Sequence, residues 1–275
     1  MRNWLGLSLL AVLFLNVPVF GEAVEPTETI QLFDGKSLDN FYTWMAGTGR
    51  EDVNQVFTVV DAIDGAPAIR VSGQGYGGFI TEKEYKNYHL VVEFRWGLLT
   101  WGNRKDKARD SGILVHCQGP DGNTGKDFKG PWMQSIETQI IEGGVADIIL
   151  VAGWDKDGNR LKPVATSTVV KDRDGETVYS PDGEEVTMDQ GRINWTGRDP
   201  DWDGSLGFVG KNDVEGHGDE WTTLEVICDG DVITNIVNGQ VVSKVWDTSL
   251  TEGKILFQVE GAELYFRKIE LKPVK

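Results

Sequence analysis

The sequence predicts an all-β protein, a β-sandwich or jelly roll, on two observations. Asp-Gly pairs occur at eight places and Asn-Gly at 238–239, and such pairs tolerate the positive φ angles of tight hairpin turns. Short runs rich in β-branched and aromatic residues, such as HLVVEFRW, SGILVHC and KILFQV, lie between them. No long stretch shows the 3.6-residue apolar period of a helix. Many short strands separated by turn signals are typical of sandwiches and jelly rolls.

The first element along the chain has the pattern of a secretory signal peptide, residues 1–21. Arg2 precedes an apolar run that ends at Phe20, and Val19 and Gly21 occupy the −3 and −1 positions of a cut before Glu22. A spanning helix needs about 20 apolar residues, and this run is shorter and contains a proline. We therefore expect export to the periplasm or the medium, with no membrane attachment after cleavage.

The remainder is predicted to form one domain, residues 30–275, after a polar lead-in at 22–29. Strand-like runs follow one another from position 30 to Leu271 without a dividing linker. Residues 155–220 differ, because they are dense in Asp, Gly, Glu and Pro. We expect them to form long hairpins and loops over one rim, and loops held by a rigid sheet often carry function.

Charge excludes one class of partner. The chain has 27 Lys+Arg against 43 Asp+Glu, a formal charge of -16. Such a chain repels a phosphate backbone unless a local basic patch compensates, and the sequence contains no such patch. Nucleic-acid binding is therefore not expected.

The two cysteines, Cys117 and Cys228, each lie in an apolar strand-like run. Export would permit a disulfide between them. Two separate buried thiols are the favoured alternative, because a domain with a large core needs no covalent staple.

The strongest candidate for chemistry is the segment SIETQIIEG at 135–143. Side chains alternate along a strand, so Glu137 and Gln139 share one face and Glu142 falls on the other. A one-residue bulge at 140–141 would bring Glu142 beside Glu137, and bulges are frequent beside active sites. Two carboxylates about 5–6 Å apart would suit an acid and base pair on a sugar-binding face. An ordinary strand whose polar residues meet water is the alternative.

A second candidate is RDSGILVHC, which places Asp110 before a strand and His116 within it. A lone strand histidine is more often a structural hydrogen-bonding residue than a catalyst. Segments close in sequence are usually close in space, so we expect His116 and Glu137 to line one cleft, with Asp110 contacting substrate.

Tryptophans in polar, loop-like stretches are candidates for stacking on a sugar ring. An exposed indole face suits that role, and packing of a long loop is the alternative. The candidates for substrate binding are Trp101, Trp132, Trp154, Trp195 and Trp202.

Two segments repeat the odd-position oxygen ligands of a calcium loop, DKDGN at 155–159 and DRDGE at 172–176. Both lack the glycine and glutamate that complete an EF-hand, and turn chemistry explains them equally well. His116 with Glu137 or Asp110 is a further combination that could hold a divalent cation. No certain cofactor follows, and a divalent cation such as Ca2+ stays open.

Six segments, in order along the chain, resemble one known family: LFDGKSLD (32–39), SGILVHC (111–117), SIETQIIEG (135–143), DEWTTLEV (219–226), VNG (237–239) and the closing KILFQVEG with LYFRKIEL. Together they are similar to the 3-keto-disaccharide hydrolase domain family over nearly the whole mature chain. The resemblance implies a concanavalin A-like jelly-roll sandwich and cleavage of glycosides already oxidised at the sugar C3 hydroxyl.

The ETQIIE run also resembles the E-x-D-x-x-E strand of glucanases that share this fold, which use the first Glu as nucleophile and the last as acid/base. Gln139 stands where those enzymes have Asp. The resemblance therefore leaves two routes open, direct hydrolysis or elimination followed by hydration. The elimination route needs a base, an acid and a donor to the keto oxygen. The candidates are Glu137 and Glu142 for proton transfer, and His116, Gln139 or a bound metal at the ketone.

Two other functional classes stay open beside an exported enzyme acting on 3-keto-glycosides. A non-catalytic carbohydrate-binding module of the same fold would keep exposed tryptophans without needing Glu137 or Glu142. A structural sandwich whose acidic loops bind a partner or Ca2+ is the third. Carbohydrate is the expected partner in the first two classes.

Overall fold

A computed structural model describes residues 21–275 of the chain. The predicted signal peptide lies almost entirely outside the described residues. Within them, no helix has the length and apolar character that crossing a membrane would require.

The described residues form strands joined by turns, with a 3-10 turn at Gly102–Arg104. The strands before this turn are β1 (Ile30–Gln31), β2 (Phe41–Met45), β3 (Phe57–Ile63), β4 (Ala66–Val71), β5 (Tyr76–Thr81), β6 (Tyr85–Lys86) and β7 (Tyr88–Thr100). Those in the middle are β8 (Asp110–Gln118), β9 (Gln134–Ile141), β10 (Ile148–Val151), β11 (Gly153–Trp154), β12 (Arg160–Leu161), β13 (Ala165–Lys171), β14 (Thr177–Tyr179), β15 (Glu184–Met188) and β16 (Gly191–Ile193). The last are β17 (Thr222–Asp229), β18 (Val232–Val237), β19 (Gln240–Val245), β20 (Glu252–Glu260) and β21 (Ala262–Pro273).

Two eight-stranded antiparallel sheets make up the sandwich. The back sheet has the order β19-β18-β17-β7-β21-β4-β3, with β1 paired to β21. The front sheet has the order β16-β10-β9-β8-β20-β5-β2, with β6 paired to β20. Strands distant in sequence therefore become neighbours: β20 lies beside β8, and β9 lies on the other side of β8. The predicted all-β jelly-roll sandwich is confirmed.

Large aromatic side chains fill the space between the sheets. Phe79 of β5 stacks on Phe257 of β20 with ring centroids 4.7 Å apart, and both rings meet Phe266 of β21 edge-on. All three side chains are fully buried. Because one face of each front-sheet strand is committed to this core, alternation directs its other side chains to the opposite face.

The hairpin β18–β19 turns at Asn238 and Gly239, whose φ angles are 48° and 83°. Positive φ at both central residues is the type I′ turn that matches the twist of a two-residue hairpin. This local prediction from the sequence is confirmed.

The acidic stretch 155–220 forms a small sheet of β14-β13-β15, the second strand of the ribbon β11–β12, and long loops. Its calcium-like segments are turns. The Asp155 carboxylate accepts the backbone N–H groups of Asp157 and Asn159 at 2.9 and 2.8 Å, and Asp172 does the same for Asp174 and Glu176 at 3.0 and 2.8 Å. These carboxylate oxygens stabilise their own loops.

Both cysteines are free thiols, as favoured from the sequence. Cys117 packs in a small apolar cluster with Leu114 and Leu256 on the outer side of the front sheet. Cys228 belongs to the main core between the sheets. Burial raises the pKa of both thiols, that of Cys228 to about 12, so neither is a ready nucleophile.

Candidate functional site

A pocket of about 380 Å³ opens on the face of the front sheet that points away from the core. Strands β9, β8 and β20 form its floor, and β10, β12, β16 and neighbouring loops form its walls. Glu137 and Gln139 point into it because their neighbours Ile136 and Ile140 are committed to the core. The polar groups of the floor are Asp110, Glu137, Gln139, Gln258 and Glu260.

Glu137 lies flat across β8 because the residue beneath it has no side chain. A Cβ placed on Gly112 would lie 2.1 Å from Oε1 of Glu137 and 3.0 Å from its Cδ. Gly112 pairs with Gln139, and the next residue on the same face, Leu114, pairs with Glu137. The glycine of the SGILVHC segment therefore makes the space that the Glu137 carboxyl group occupies.

Burial raises the pKa of Glu137 to about 8. Repulsion from Glu260 adds to this shift, while the positive charge of Arg192 and the amide of Gln258 oppose it. The protonated carboxyl group therefore predominates at neutral pH. A glutamic acid that keeps its proton at pH 7 is suited to donate that proton to a leaving group.

Glu260 has a different environment, because it forms an ion pair with Arg104. The same guanidinium pairs with Asp110, which also accepts a hydrogen bond of 2.8 Å from Nε2 of Gln139. Burial raises the pKa of Glu260, and Arg104 opposes that shift. Glu137 has no such counterion. The two carboxyl groups therefore differ, with Glu260 the more readily ionised of the pair.

Three buried oxygens on the pocket floor have no hydrogen-bond partner among the described residues: Oε1 of Glu137, Oε1 of Gln139 and Oε1 of Gln258. Buried polar atoms are normally paired, so a group of unpaired acceptors requires an explanation. All three lie within one pocket. A ligand rich in hydroxyl groups would satisfy them.

Trp132 and Thr124 form one wall of the pocket. The indole Nε1 of Trp132 donates to the carbonyl of Gly77 at 3.1 Å, and its ring meets Tyr76 edge-on at 6.4 Å. The half-buried indole is thus held in one orientation beside the polar floor. Of the predicted substrate-binding residues, Asp110 and Trp132 line the pocket that contains Glu137.

Glu142 does not lie beside Glu137, so the predicted carboxylate pair is wrong. Strands β8 and β9 pair without a register shift from Asp110↔Ile141 to Val115↔Ile136, and the expected bulge at 140–141 is not formed. Glu142 follows the end of β9, where it pairs with Arg109 and accepts the backbone N–H of Gly207 at 3.0 Å. It lines a separate cavity.

His116 does not face the pocket either, so the predicted shared cleft is wrong. Its φ is 55°, within a register shift between Val115 and Gln118, and this irregularity breaks the alternation of β8. The fully buried ring packs against Tyr88 of the back sheet at 5.7 Å. Nδ1 donates to the carbonyl of Leu250 at 2.9 Å, and burial lowers the pKa of His116 to about 4. The same geometry removes His116 from any cation site with Glu137 or Asp110.

We expect His116→Gln to lower Tm while leaving turnover at the pocket within about threefold. The pKa of His116 falls from 6.5 to about 4 on folding. The stability that its neutral form contributes is therefore present above pH 6.5 and is lost as pH falls toward 4. The Tm difference between parent and variant should narrow between pH 7 and pH 4.5. A large loss of turnover with an unchanged Tm would instead place His116 in the chemistry.

Four of the five predicted sugar-stacking tryptophans do not line this pocket. Trp195 is 2% exposed and belongs to the main core, so its predicted role is wrong. Trp202 donates to the carbonyl of Glu142 at 2.7 Å and lies under Arg198. Trp101 donates to the carbonyl of Ser72 and lines another cavity. Trp154 lies next to the pocket, beneath the side chain of Arg160.

No group of three or more His, Cys, Asp or Glu side chains in residues 21–275 is arranged to hold a metal ion. A divalent cation stays a prediction of the sequence that awaits a direct test.

Sequence reasoning missed Glu260, Gln258 and the pocket arginines. Gln258 and Glu260 are two residues apart, as Glu137 and Gln139 are, so alternation along KILFQVE could have placed both on one face. Arg104 comes from the 3-10 turn and Arg192 from the edge strand β16. Nothing local in the sequence marks either arginine, because only the strand order brings them to the pocket.

Comparison with known proteins agrees with the resemblance noted from the sequence. Residues 28–272 match the family described as the 3-keto-alpha-glucoside-1,2-lyase-like domain. No curated protein matches the chain.

Solved structures of similar topology include a proposed glycosyl hydrolase from Parabacteroides distasonis, 17% identical over 90% of this chain and 94% of that one, with a TM-score of 0.48. A carbohydrate-binding module from Bacillus subtilis is 10% identical over 78% and 91%, with a TM-score of 0.38. A β-glucanase from Bacillus licheniformis is 14% identical over 91% and 96%, with a TM-score of 0.37.

The family match covers all but the ends of the described residues, including every strand that forms the pocket. The chain therefore belongs to a carbohydrate-active family, that of the 3-keto-alpha-glucoside-1,2-lyase-like domain.

Proposed function

We propose that this protein is an exported enzyme that cleaves 3-keto-glycosides by elimination followed by hydration. The observation that carries the proposal is the pocket floor, where the buried carboxyl group of Glu137, which has no counterion, and the half-buried one of Glu260, which pairs with Arg104, lie among unpaired acceptors. The family description, which names a lyase acting on a 3-keto-glucoside, supports the reaction class.

The C3 ketone of the substrate is what allows the glycosidic bond to break by elimination. A carbonyl at C3 acidifies the proton on C2, so a base can remove that proton and form an enolate. The C1–O bond then breaks, and the leaving oxygen takes a proton from an acid. The product is an unsaturated keto sugar with a C1=C2 double bond, and water adds across that bond to give the free 3-keto sugar. Overall, one water molecule is consumed for each glycosidic bond that is cleaved.

In this proposal Glu260 removes the C2 proton and Glu137 protonates the leaving oxygen. Glu260 has Arg104 as its counterion and is the more readily ionised carboxyl group. Glu137 is protonated at neutral pH, since its pKa is about 8. A pair of carboxyl groups whose environments separate their protonation states is the usual basis for assigning acid and base. Arg104 and Arg192 supply positive charge for the enolate oxygen.

The first experiment is turnover of 3-keto-trehalose or another 3-keto-glucoside by the purified mature protein, with the unoxidised sugar as control. We expect free sugar only from the keto substrate. In D2O, elimination and hydration place deuterium at C2 of the released 3-keto sugar, whereas direct hydrolysis retains the C2 proton. Absence of turnover with retained sugar binding would favour the non-catalytic module, to which Trp132 and the unpaired acceptors are equally suited.

A chelator arm in the same assay tests the divalent cation. Loss of turnover with chelator and recovery with Ca2+ would establish a metal requirement. Export is tested by expressing the full chain in a Gram-negative host and sequencing the mature N-terminus, which we expect to begin at Glu22.

The pH profile provides an independent test of the Glu137 assignment. We expect kcat to fall as pH rises through about 8, because the proton that Glu137 donates is lost there. A kcat that rises through the same range would instead make Glu137 the base.

A further inference from the structure

A pair of cations lies at one end of the pocket. Lys126, from the loop before β9, and Arg160, from β12, both lie over the ring of Trp154, at 5.1 and 5.0 Å from its centroid. Arg160 lines the pocket itself. Lys126 reaches the turn of the β11–β12 ribbon, where its Cε lies 3.6 Å from the position of a Cβ on Gly158. Cation–π contact holds both side chains at this rim.

These two cations have no carboxylate partner, which distinguishes them from the other pocket cations. Arg104 pairs with Asp110 and Glu260, and Arg192 lies 3.5 Å from Asp147. Neither Lys126 nor Arg160 lies within 4.0 Å of a carboxylate among the described residues. Asp155, the acidic residue at the base of this ribbon, accepts N–H groups of its own turn. Among the described residues that line this pocket, Arg160 is thus the cation whose charge no nearby carboxylate balances, and Lys126 beside it is also unpaired.

Their position corresponds to the leaving-group side of the proposed reaction. Along β9 the floor runs from Gln139, near Arg104 and Asp110, through Glu137 to the strand start at Gln134. The base lies at the first end. Arg160 lies at the other end, because it pairs with Trp154, whose backbone N–H donates to the carbonyl of Asn123. The side chain of Asn123 in turn accepts the N–H of Gln134 at the strand start. The group bonded to the oxygen that Glu137 protonates therefore extends toward Arg160.

We propose that Arg160 and Lys126 select glycosides whose leaving group carries an anionic substituent, a carboxylate or a sulfonate. This inference rests on the proposed function for the identity of the reaction. An arginine guanidinium donates two parallel hydrogen bonds to such an oxyanion, and a neighbouring lysine donates a further charge-assisted hydrogen bond. A neutral leaving group would leave both cations without a partner.

The test compares three aryl 3-keto-glucosides that differ only in the para substituent of the leaving group: carboxylate, sulfonate and uncharged carboxamide. We expect kcat/KM for at least one of the two anionic substrates to exceed that for the carboxamide substrate by about tenfold or more. This is the size of effect that a charge-assisted hydrogen bond has on binding. The preference should shrink at high salt, because exposed charges are screened. The ratio of carboxylate to sulfonate identifies which oxyanion the site accepts.

The variant Lys126→Gln with Arg160→Gln should abolish this preference and leave carboxamide turnover within about twofold. Lys129→Gln with Lys156→Gln is the matched control, since both residues are exposed, lie in the same loop and ribbon, and change the net charge equally. We expect the control to keep the preference. The inference would be overturned if the parent protein showed no preference for an anionic leaving group, or if the preference survived in Lys126→Gln with Arg160→Gln. Neither result would affect the proposed reaction, as long as the 3-keto-glucosides are turned over.

A binding measurement keeps the inference separate from the reaction. If none of the 3-keto-glucosides is turned over, the proposed function fails. Calorimetric titration of the unoxidised carboxylate, sulfonate and carboxamide aryl glucosides then decides the inference alone. Tighter binding of an anion by the parent, lost in the double variant, supports it, and equal affinities overturn it.

Discussion

Glu137→Gln should lower kcat on a 3-keto-glucoside by about 100- to 10,000-fold, the range that a positioned proton donor contributes. Glutamine keeps the shape of the protonated carboxyl group but has no acidic proton. The space over Gly112 accommodates either side chain. Binding of the substrate should persist, because the other floor groups are unchanged. The measurement is steady-state turnover together with the affinity for the unoxidised sugar.

Measuring Tm against pH shows whether the lower kcat of Glu137→Gln comes from the lost proton donor or from unfolding. The pKa of Glu137 rises from 4.5 to about 8 on folding. Its contribution to stability is therefore complete below pH 4.5 and is lost as pH rises through 8. Glutamine does not ionise, so Glu137→Gln does not lose stability in this pH range. We therefore expect its Tm to exceed that of the parent at pH 9.

Glu142→Gln is the control for Glu137→Gln, because it makes the same chemical change at a carboxyl group outside the pocket. Glu142 forms an ion pair with Arg109 outside the pocket, and removing one partner of a buried pair is destabilising. We expect a lower Tm with kcat nearly unchanged. If Glu142→Gln lost turnover and Glu137→Gln retained it, the assignment of the acid would be wrong.

Gly112→Ala should lower kcat by about 100-fold, because displacement of a reacting group by about 1 Å has costs of that order. The new Cβ would lie 2.1 Å from Oε1 of Glu137, so that carboxyl group must move. Gly112 does not have a positive φ, and alanine therefore fits the backbone. We expect a specific loss of turnover with little change in Tm.

A double-mutant cycle shows whether Gly112 acts through Glu137. If it does, adding Gly112→Ala to Glu137→Gln causes no further loss beyond that of Glu137→Gln alone, since the group it displaces is already inactive. Fully additive losses would contradict the positioning role and indicate a general distortion of β8.

The alternation of side chains along a strand predicted the part of the site that β9 contributes. It placed Glu137 and Gln139 on one face correctly, because β9 is regular and Ile136 and Ile140, which alternate with them, are committed to the core. The same rule was wrong for His116, where positive φ within a register shift turns the ring into the core. A bulge leaves no mark in the apolar pattern, so its presence at His116 and its absence near Glu142 could not be anticipated.

The sequence by itself determined the all-β class, the Asn238-Gly239 turn and the shared face of Glu137 and Gln139, because turn chemistry and side-chain alternation act over a few neighbouring residues. Tertiary structure alone decided which carboxyl group joins Glu137. Glu260 reaches the pocket because β20 lies beside β8, and Arg104 pairs with it across 156 positions of chain. Sheet order depends on how two faces bury a common core, and that global packing is not encoded in any local pattern.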